Sequence, residues 1–198
     1  MIEYPEYVRV NDRLYKINTN FKVAIECNEV ARDNTIGNFE RALAVIYLLF
    51  ENGLDNPDDY EGLLEKAKVY LSCGKELETD GEPDMDYVED YDYIWTSMYS
   101  DYNGLDIDKE DIHWWKFNKL MNGLSNSEMG NCCVLNRIRN LRNYDTRDIK
   151  DSKQRQKIEK AKQQVALKRN KRENNLTQEQ EESMKRLNEI LGLRGGDK

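Results

Sequence analysis

The sequence predicts a mainly α fold: a small N-terminal β-hairpin packed on a helical domain of about five to six helices, then a long charged helical extension. Three observations carry that prediction. Period-two alternation is confined to the first seventeen residues, and apolar residues then recur at three- and four-residue spacing as far as Leu141. Beyond Asp145 the apolar residues thin out among Lys, Arg and Gln. The expected organisation is therefore a globular domain over 1–145 and a charged extension over 146–198 that carries a short amphipathic last helix.

The hairpin comes first. Tyr7-Val8-Arg9-Val10 and Leu14-Tyr15-Lys16-Ile17 alternate around Asn11-Asp12, residues that tolerate the left-handed backbone of a two-residue turn. Two strands alone are marginal in water, so this pair must pack on something helical. Asn18 or Thr19 is then expected to cap a helix running to Arg32, with Phe21, Ala24, Ile25 and Val30 inward. A second helix is expected over 38–51, burying Phe39, Leu43, Ile46 and Phe50 and ending at Asn52-Gly53. The third starts near Pro57, whose missing N–H costs nothing in a first turn, with Asp58 and Asp59 suited to the positive end of the dipole. It buries Leu63, Leu64, Ala67, Tyr70 and Leu71 and stops at Gly74.

A polar loop over 75–84 leads to a fourth helix, expected over 85–102, that bears a Tyr/Asp repeat. The fifth (111–122) places Trp114, Phe117, Leu120 and Met121 on one stripe. The sixth (128–143) offers Met129, Cys133, Ile138 and Leu141. A long solvated helix follows from Thr146 to Arg172, then a capping box at Thr177-x-x-Gln180 opens a last helix with Met184, Leu187, Ile190 and Leu191 on one face.

Composition narrows the function classes. Of 198 residues, 34% are charged and only 38% hydrophobic, a lean core for this length. No stretch approaches the roughly 18 apolar residues of a membrane helix, and Met1-Ile2-Glu3-Tyr4-Pro5 does not read as a signal peptide. A soluble, cytosolic protein is expected. Cys27, Cys73, Cys132 and Cys133 lack CxxC pairing and fall in predicted helices, so they read as reduced thiols. With His113 as the one histidine, the usual zinc spacings cannot be assembled. Asp84-x-Asp86 and Asp106-x-Asp108 start like calcium loops but lack the glycine at position six and the glutamate at position twelve. No P-loop, GxSxG, GxGxxG or HExxH occurs. The expectation is a protein with no catalytic residues, no cofactor and no metal.

Charge is unevenly placed. Residues 76–111 hold fourteen Asp and Glu against one Lys, whereas 137–172 hold fourteen Lys and Arg against four acids. Either the two poles neutralise one another within the chain or one of them meets a charged partner. The basic segment lacks interleaved aromatics and a recognised nucleic-acid motif, so direct nucleic-acid binding is disfavoured. Trp114 and Phe117 share a face and favour core packing; Trp115 lies off that stripe and could anchor a partner. His113 reads as a capping or packing residue. The candidate partner-binding set is Trp114, Trp115, Phe117, Tyr91, Trp95, Arg139, Arg142, Lys157 and Lys160.

Several of these pieces together resemble a known family. They are Trp114-Trp115-x-Phe117, Leu120-x3-Leu124-Ser125, Arg142-x2-Asp145 and Ile149-Lys150-Asp151, together with an opening strand, Asn18-Thr19-Asn20 and Phe21-Lys22-Val23-Ala24. The pattern, over roughly Tyr7 to Leu167, is similar to the bacteriophage gene-product-fifteen family from the tail-gene block of long-tailed phages of Gram-positive hosts. The resemblance implies a tail assembly chaperone in the host cytoplasm. It would bind the tape-measure protein and keep it soluble while tail-tube protein assembles around it. Tail-tube protein, another tail chaperone and a second copy of the chain are the further partners it suggests, with no membrane. The charged extension from Thr146 would recruit tube protein. Two other readings stay open: a structural tail or head-tail connector component retained in the virion, and a small phage protein binding a host factor through its acidic Tyr/Asp helix.

Overall fold

The computed structural model describes residues 4–75, 83–126 and 132–168. The chain divides into two units, one drawing on 1–80 and 90–137, the other on 81–89 and 138–198. The expected class is observed: among the described residues, one antiparallel hairpin and seven α-helices.

In the first unit, β1 (Tyr7–Val10) pairs with β2 (Arg13–Lys16), Tyr7 opposite Lys16 and Val10 opposite Arg13. Asn11 and Asp12 both take positive φ, 45° and 64°, which makes the expected two-residue turn. Alternation then decides the faces: Val10, Tyr15 and Ile17 are buried while Tyr7 and Leu14 are exposed.

Helix α1 is Phe21–Arg32, and its cap is Asn20, whose side chain accepts from Lys22 N. Neither Asn18 nor Thr19 caps it, because the strand continues past β2. Asn18 N donates to Leu49 O at 2.8 Å, and Thr19 O accepts from Trp114 N at 2.7 Å. Bridges Ile17–Phe50 and Asn20–His113 hold the segment extended on both sides.

Helix α2 (Asn38–Leu49) stops where Phe50 turns extended to make its bridge. Its buried face is Val45, Ile46, Leu49 and the following Phe50. Phe39 was expected there and is instead 65% exposed. The packing of α2 against α1 and α3 is made through a face rotated toward Val45 and Leu49.

Pro57–Asp59 forms one 3₁₀ turn before α3 (Tyr60–Leu71). Gly62 is where β1 crosses α3: a Cβ there would meet Val10 Cγ1 at 2.5 Å. The helix ends in a Schellman motif, with Gly74 N donating to Val69 O at 2.8 Å and Cys73 N to Tyr70 O at 3.0 Å. Cys73, at φ 54°, occupies the left-handed position where glycine is usual.

Helix α4 (Tyr91–Asp101) begins later than its Tyr/Asp pattern suggests. Asp86 Oδ1 accepts from Val88 N and Glu89 N, a local turn that competes with helix. Helix α5 (Trp114–Asn122) is capped by His113, whose Nδ1 accepts from Trp115 N at 3.0 Å. The expected start at Asp111 fails because residues 112–114 bond to the strand before α1. Phe21 and Phe117 stack at 4.3 Å, with Trp114 against Phe117 at 5.9 Å, and Ile46, Leu49, Leu63, Ile94, Met98, Ile107 and Leu135 join them among the largest fully buried apolar side chains. Each such side chain contributes roughly 1.5–3 kcal/mol on burial.

Helix α6 (Val134–Asn143) gives its first residues to this unit and those from Ile138 to the other. Asn136 N approaches Cys133 Sγ at 3.4 Å and Leu135 N donates to Ser97 Oγ at 3.0 Å, so sulfur and hydroxyl satisfy its opening N–H groups. Cys132 and Cys133 thus precede the helix, and Cys73 follows one. Of the four free cysteines only Cys27 is helical. The part of helix six expected over 128–131 lies outside the described residues.

In the second unit, Asp84 gathers the end of α6. Its carboxylate accepts from Arg139 Nε at 3.1 Å and Asn143 Nδ2 at 2.9 Å, and its carbonyl from Arg142 Nη1 at 2.8 Å. Helix α7 (Ser152–Val165) is capped by Asp151 and buries none of its residues, the solvated helix that its composition predicts. Residue 145, where composition changes, lies within this unit. The extension beyond 168 and the helix expected from Thr177 lie outside the described residues.

Candidate functional site

The tryptophan helix is built inward, as the shared face of Trp114 and Phe117 predicts. Trp114 is 2% exposed and Phe117 is fully buried, so neither offers surface to a partner. Trp115 is half-buried, and its indole N–H donates to Tyr70 O at 2.9 Å while that of Trp114 donates to Leu71 O at 3.0 Å. The two adjacent indoles thereby satisfy carbonyls at the end of α3, which its own backbone leaves under-bonded. Around the cap, the His113 ring stacks on Tyr4 at 4.9 Å, meets Tyr70 edge-on, and places Nε2 3.1 Å from Pro5 O. Burial lowers the His113 pKa, opposed by the Pro5 carbonyl. The two indoles and the His113 ring thus make a tryptophan wall that supports the core at the end of α3.

Tyr91 and Trp95 are half-buried on α4. Tyr91 donates to Asp108 Oδ1 at 2.7 Å and Trp95 Nε1 to Asp106 Oδ1 at 3.1 Å, so part of the Tyr/Asp repeat is spent holding the 106–111 loop. What stays open is one side: Trp95 stacks on the exposed Tyr99 at 5.0 Å, next to the exposed Asp92.

Arg139 and Arg142 are engaged by Asp84 within the second unit, and Arg142 Nε also donates to Val165 O at 2.7 Å. Lys157 and Lys160 are exposed on α7. The candidate residues are divided between the two units, Tyr91, Trp95, Trp114, Trp115 and Phe117 in the first and Arg139, Arg142, Lys157 and Lys160 in the second. Among the described residues no group of three or more His, Cys, Asp or Glu could hold a metal, and no helix is long and apolar enough to cross a membrane.

Two features escaped the sequence reading. Asp59, expected only to complement a helix dipole, is wholly buried and accepts from Asn11 Nδ2 at 2.8 Å, Arg13 Nη1 at 2.8 Å and the Tyr15 hydroxyl. Those donors, Tyr15 first, hold its pKa down to about 2. The cluster fastens the hairpin to the start of α3.

The other is the outer side of α2. Phe39, Leu43 and Tyr47 recur at four-residue spacing, about 100° round the helix from its buried face, and Ile36 precedes them just outside the helix. Phe39 is 65% exposed, Tyr47 70% and Ile36 39%; Leu43 is half-buried. Past the helix end the stripe runs into an open cavity of about 480 Å³ lined by Tyr47, Phe50 and Leu54, with Glu51 and Asp55 also in its lining. A helix with apolar residues on two sides and neighbours on one presents a surface suited to another chain.

The sequence profile of one family, Bacteriophage Gp15 protein, matches residues 3–167. The chain belongs to that family. A comparison with curated proteins and one with solved structures returned no match. Membership makes this Gp15-family protein a bacteriophage protein of the structural or morphogenetic class. The matched span takes in the acidic pole, most of the basic one, the tryptophan wall, the Asp59 cluster and the α2 stripe. Among the described residues, the α2 stripe is an exposed apolar surface of this Gp15-family protein.

Proposed function

We propose that the chain acts by binding rather than catalysis, as a tail assembly chaperone for the phage tape-measure protein. The observation that carries this reading is the α2 stripe. Phe39, Leu43 and Tyr47 lie along one line of a rigid helix and lead into the cavity at Leu54. An amphipathic helix of the partner, seated with its apolar side on that line, would be shielded from its own kind. The net charge of −8 keeps such a complex soluble. Acting in the host cytoplasm, the chaperone would hand its client to tail-tube protein, alone or with another tail chaperone.

Co-expression with the tape-measure protein of the same phage tests the proposal. Soluble tape measure that co-purifies with this chain is the expected result. Tape measure left insoluble, with this chain unbound in the supernatant, would overturn it. Purified particles that contain the chain in fixed number would instead favour a retained tail or connector component.

A further inference from the structure

The two charge poles each present an ordered helical stripe. On α4 the outward line is Asp92, Trp95, Thr96 and Tyr99, with Asp92, Thr96 and Tyr99 exposed and the Trp95–Tyr99 stack between them. The adjoining loop adds Asp106, Asp108, Glu110 and Asp111. Against these acids stand Lys109, paired with Asp106 at 2.8 Å, and Lys22, 3.6 Å from Asp108, so the patch keeps a negative balance.

On α7 the line is Lys153, Lys157 and Lys160, all exposed, on a helix that buries nothing. Positions 92 and 99, like 153 and 160, lie seven positions apart, about 10 Å of helix. The three lysines match the acidic and aromatic groups in sign, spacing and chemistry: an ammonium beside a carboxylate, or over an indole or phenol face, gains in both settings.

We infer that this chain associates with itself, the Lys153–Lys157–Lys160 stripe of one copy docking on the Asp92–Trp95–Tyr99 stripe of a second. Patch and counter-patch sit on the same chain, so association either closes reciprocally as a dimer or continues as a ring or filament. The surface is separate from α2, and its test uses only this protein, so its failure leaves the tape-measure reading where it stands.

The test is the solution mass of the full chain against concentration, by sedimentation velocity, at about 0.1 M and about 1 M salt, where the screening length shrinks from ~10 to 3 Å. Two charge variants accompany it, each altering only exposed positions: Lys153→Glu/Lys157→Glu/Lys160→Glu, and Asp92→Lys/Thr96→Lys. The mass is expected to rise to at least twice that of one chain at low salt and return to one at high salt. Either variant alone should weaken association by roughly tenfold or more, and mixing the two should restore it, since each keeps the stripe that the other has lost. The restored mass guards against misfolding, which mixing could not repair. A single-chain mass at every concentration in low salt would overturn the inference. So would an oligomer indifferent to salt and to both variants.

Discussion

The Tyr15 hydroxyl donates its hydrogen bond to the Asp59 carboxylate, linking positions 44 residues apart in the chain. Arg13 and Asn11, from the same hairpin, complete the set of donors around that carboxylate. A two-stranded ribbon too small to be stable alone is thus pinned at its turn and second strand to the 3₁₀ entry of α3.

Removing that pin has a graded outcome. Tyr15→Phe should cost about 1.5–3 kcal/mol in denaturant melts, the range for a hydrogen bond to a charged group. Asp59→Ala should cost more, since it strands three donors at once. It should also increase amide exchange in β1 and β2 before that in α1. Equal effects of the two substitutions would mean that Asp59 is not the centre of the cluster.

The indole pair makes a sharper distinction. Trp114→Phe leaves Leu71 O without its indole donor in a buried wall and opens a void, for a cost of about 2–4 kcal/mol. Trp115→Phe should cost about 1 kcal/mol or less, because Tyr70 O keeps the bond from Cys73 N. Thermal melts of the two single variants test this order.

Acid should destabilise the fold in two stages. Burial depresses the His113 pKa below 6.5, so the unfolded chain takes a proton there before the folded one does. Stability is complete above about pH 6.5 and falls as pH drops toward the folded pKa. Asp59 has its folded pKa lowered from 3.8 to about 2, so its contribution is present above pH 3.8 and lost as pH falls through 2. His113→Asn, which keeps a side-chain acceptor for Trp115 N, should flatten the first stage and spare the second. Melts across pH 2 to 8 check both.

Much of the fold was legible because it is local. Alternation and Asn11-Asp12 specified the hairpin, and the place of His113 at an apolar stripe marked it as a capping or packing residue, the cap being what the structure has. What was hidden depended on contacts distant in sequence. The strand past Ile17 persists because α2 and α5 bond it from two sides, which displaced the expected cap from Asn18 or Thr19 to Asn20. Asp59 looked like any first-turn acid until its three partners converged. The face of α2 was misread for a related reason: its apolar residues cover two sides, and periodicity alone does not say which one the neighbours take. Trp115, off the apolar stripe, reads as a candidate partner anchor, yet its N–H bonds the Tyr70 carbonyl at the end of α3.

The α2 stripe should be dispensable for folding. Phe39→Ser/Tyr47→Ser alters exposed positions, and its stability should lie within about 0.5 kcal/mol of the parent for each change. Circular dichroism melts measure this, and a larger loss would mean that the stripe is part of the core.

The most direct test of the proposed function pairs that variant with the parent. The fraction of co-expressed tape-measure protein recovered soluble and bound is measured with each. Soluble, bound tape measure is expected with the parent chain and insoluble tape measure with Phe39→Ser/Tyr47→Ser, although that variant stays folded. Equal solubilisation by both chains would contradict the assignment of α2 as the client surface, and none by either would contradict the chaperone reading itself.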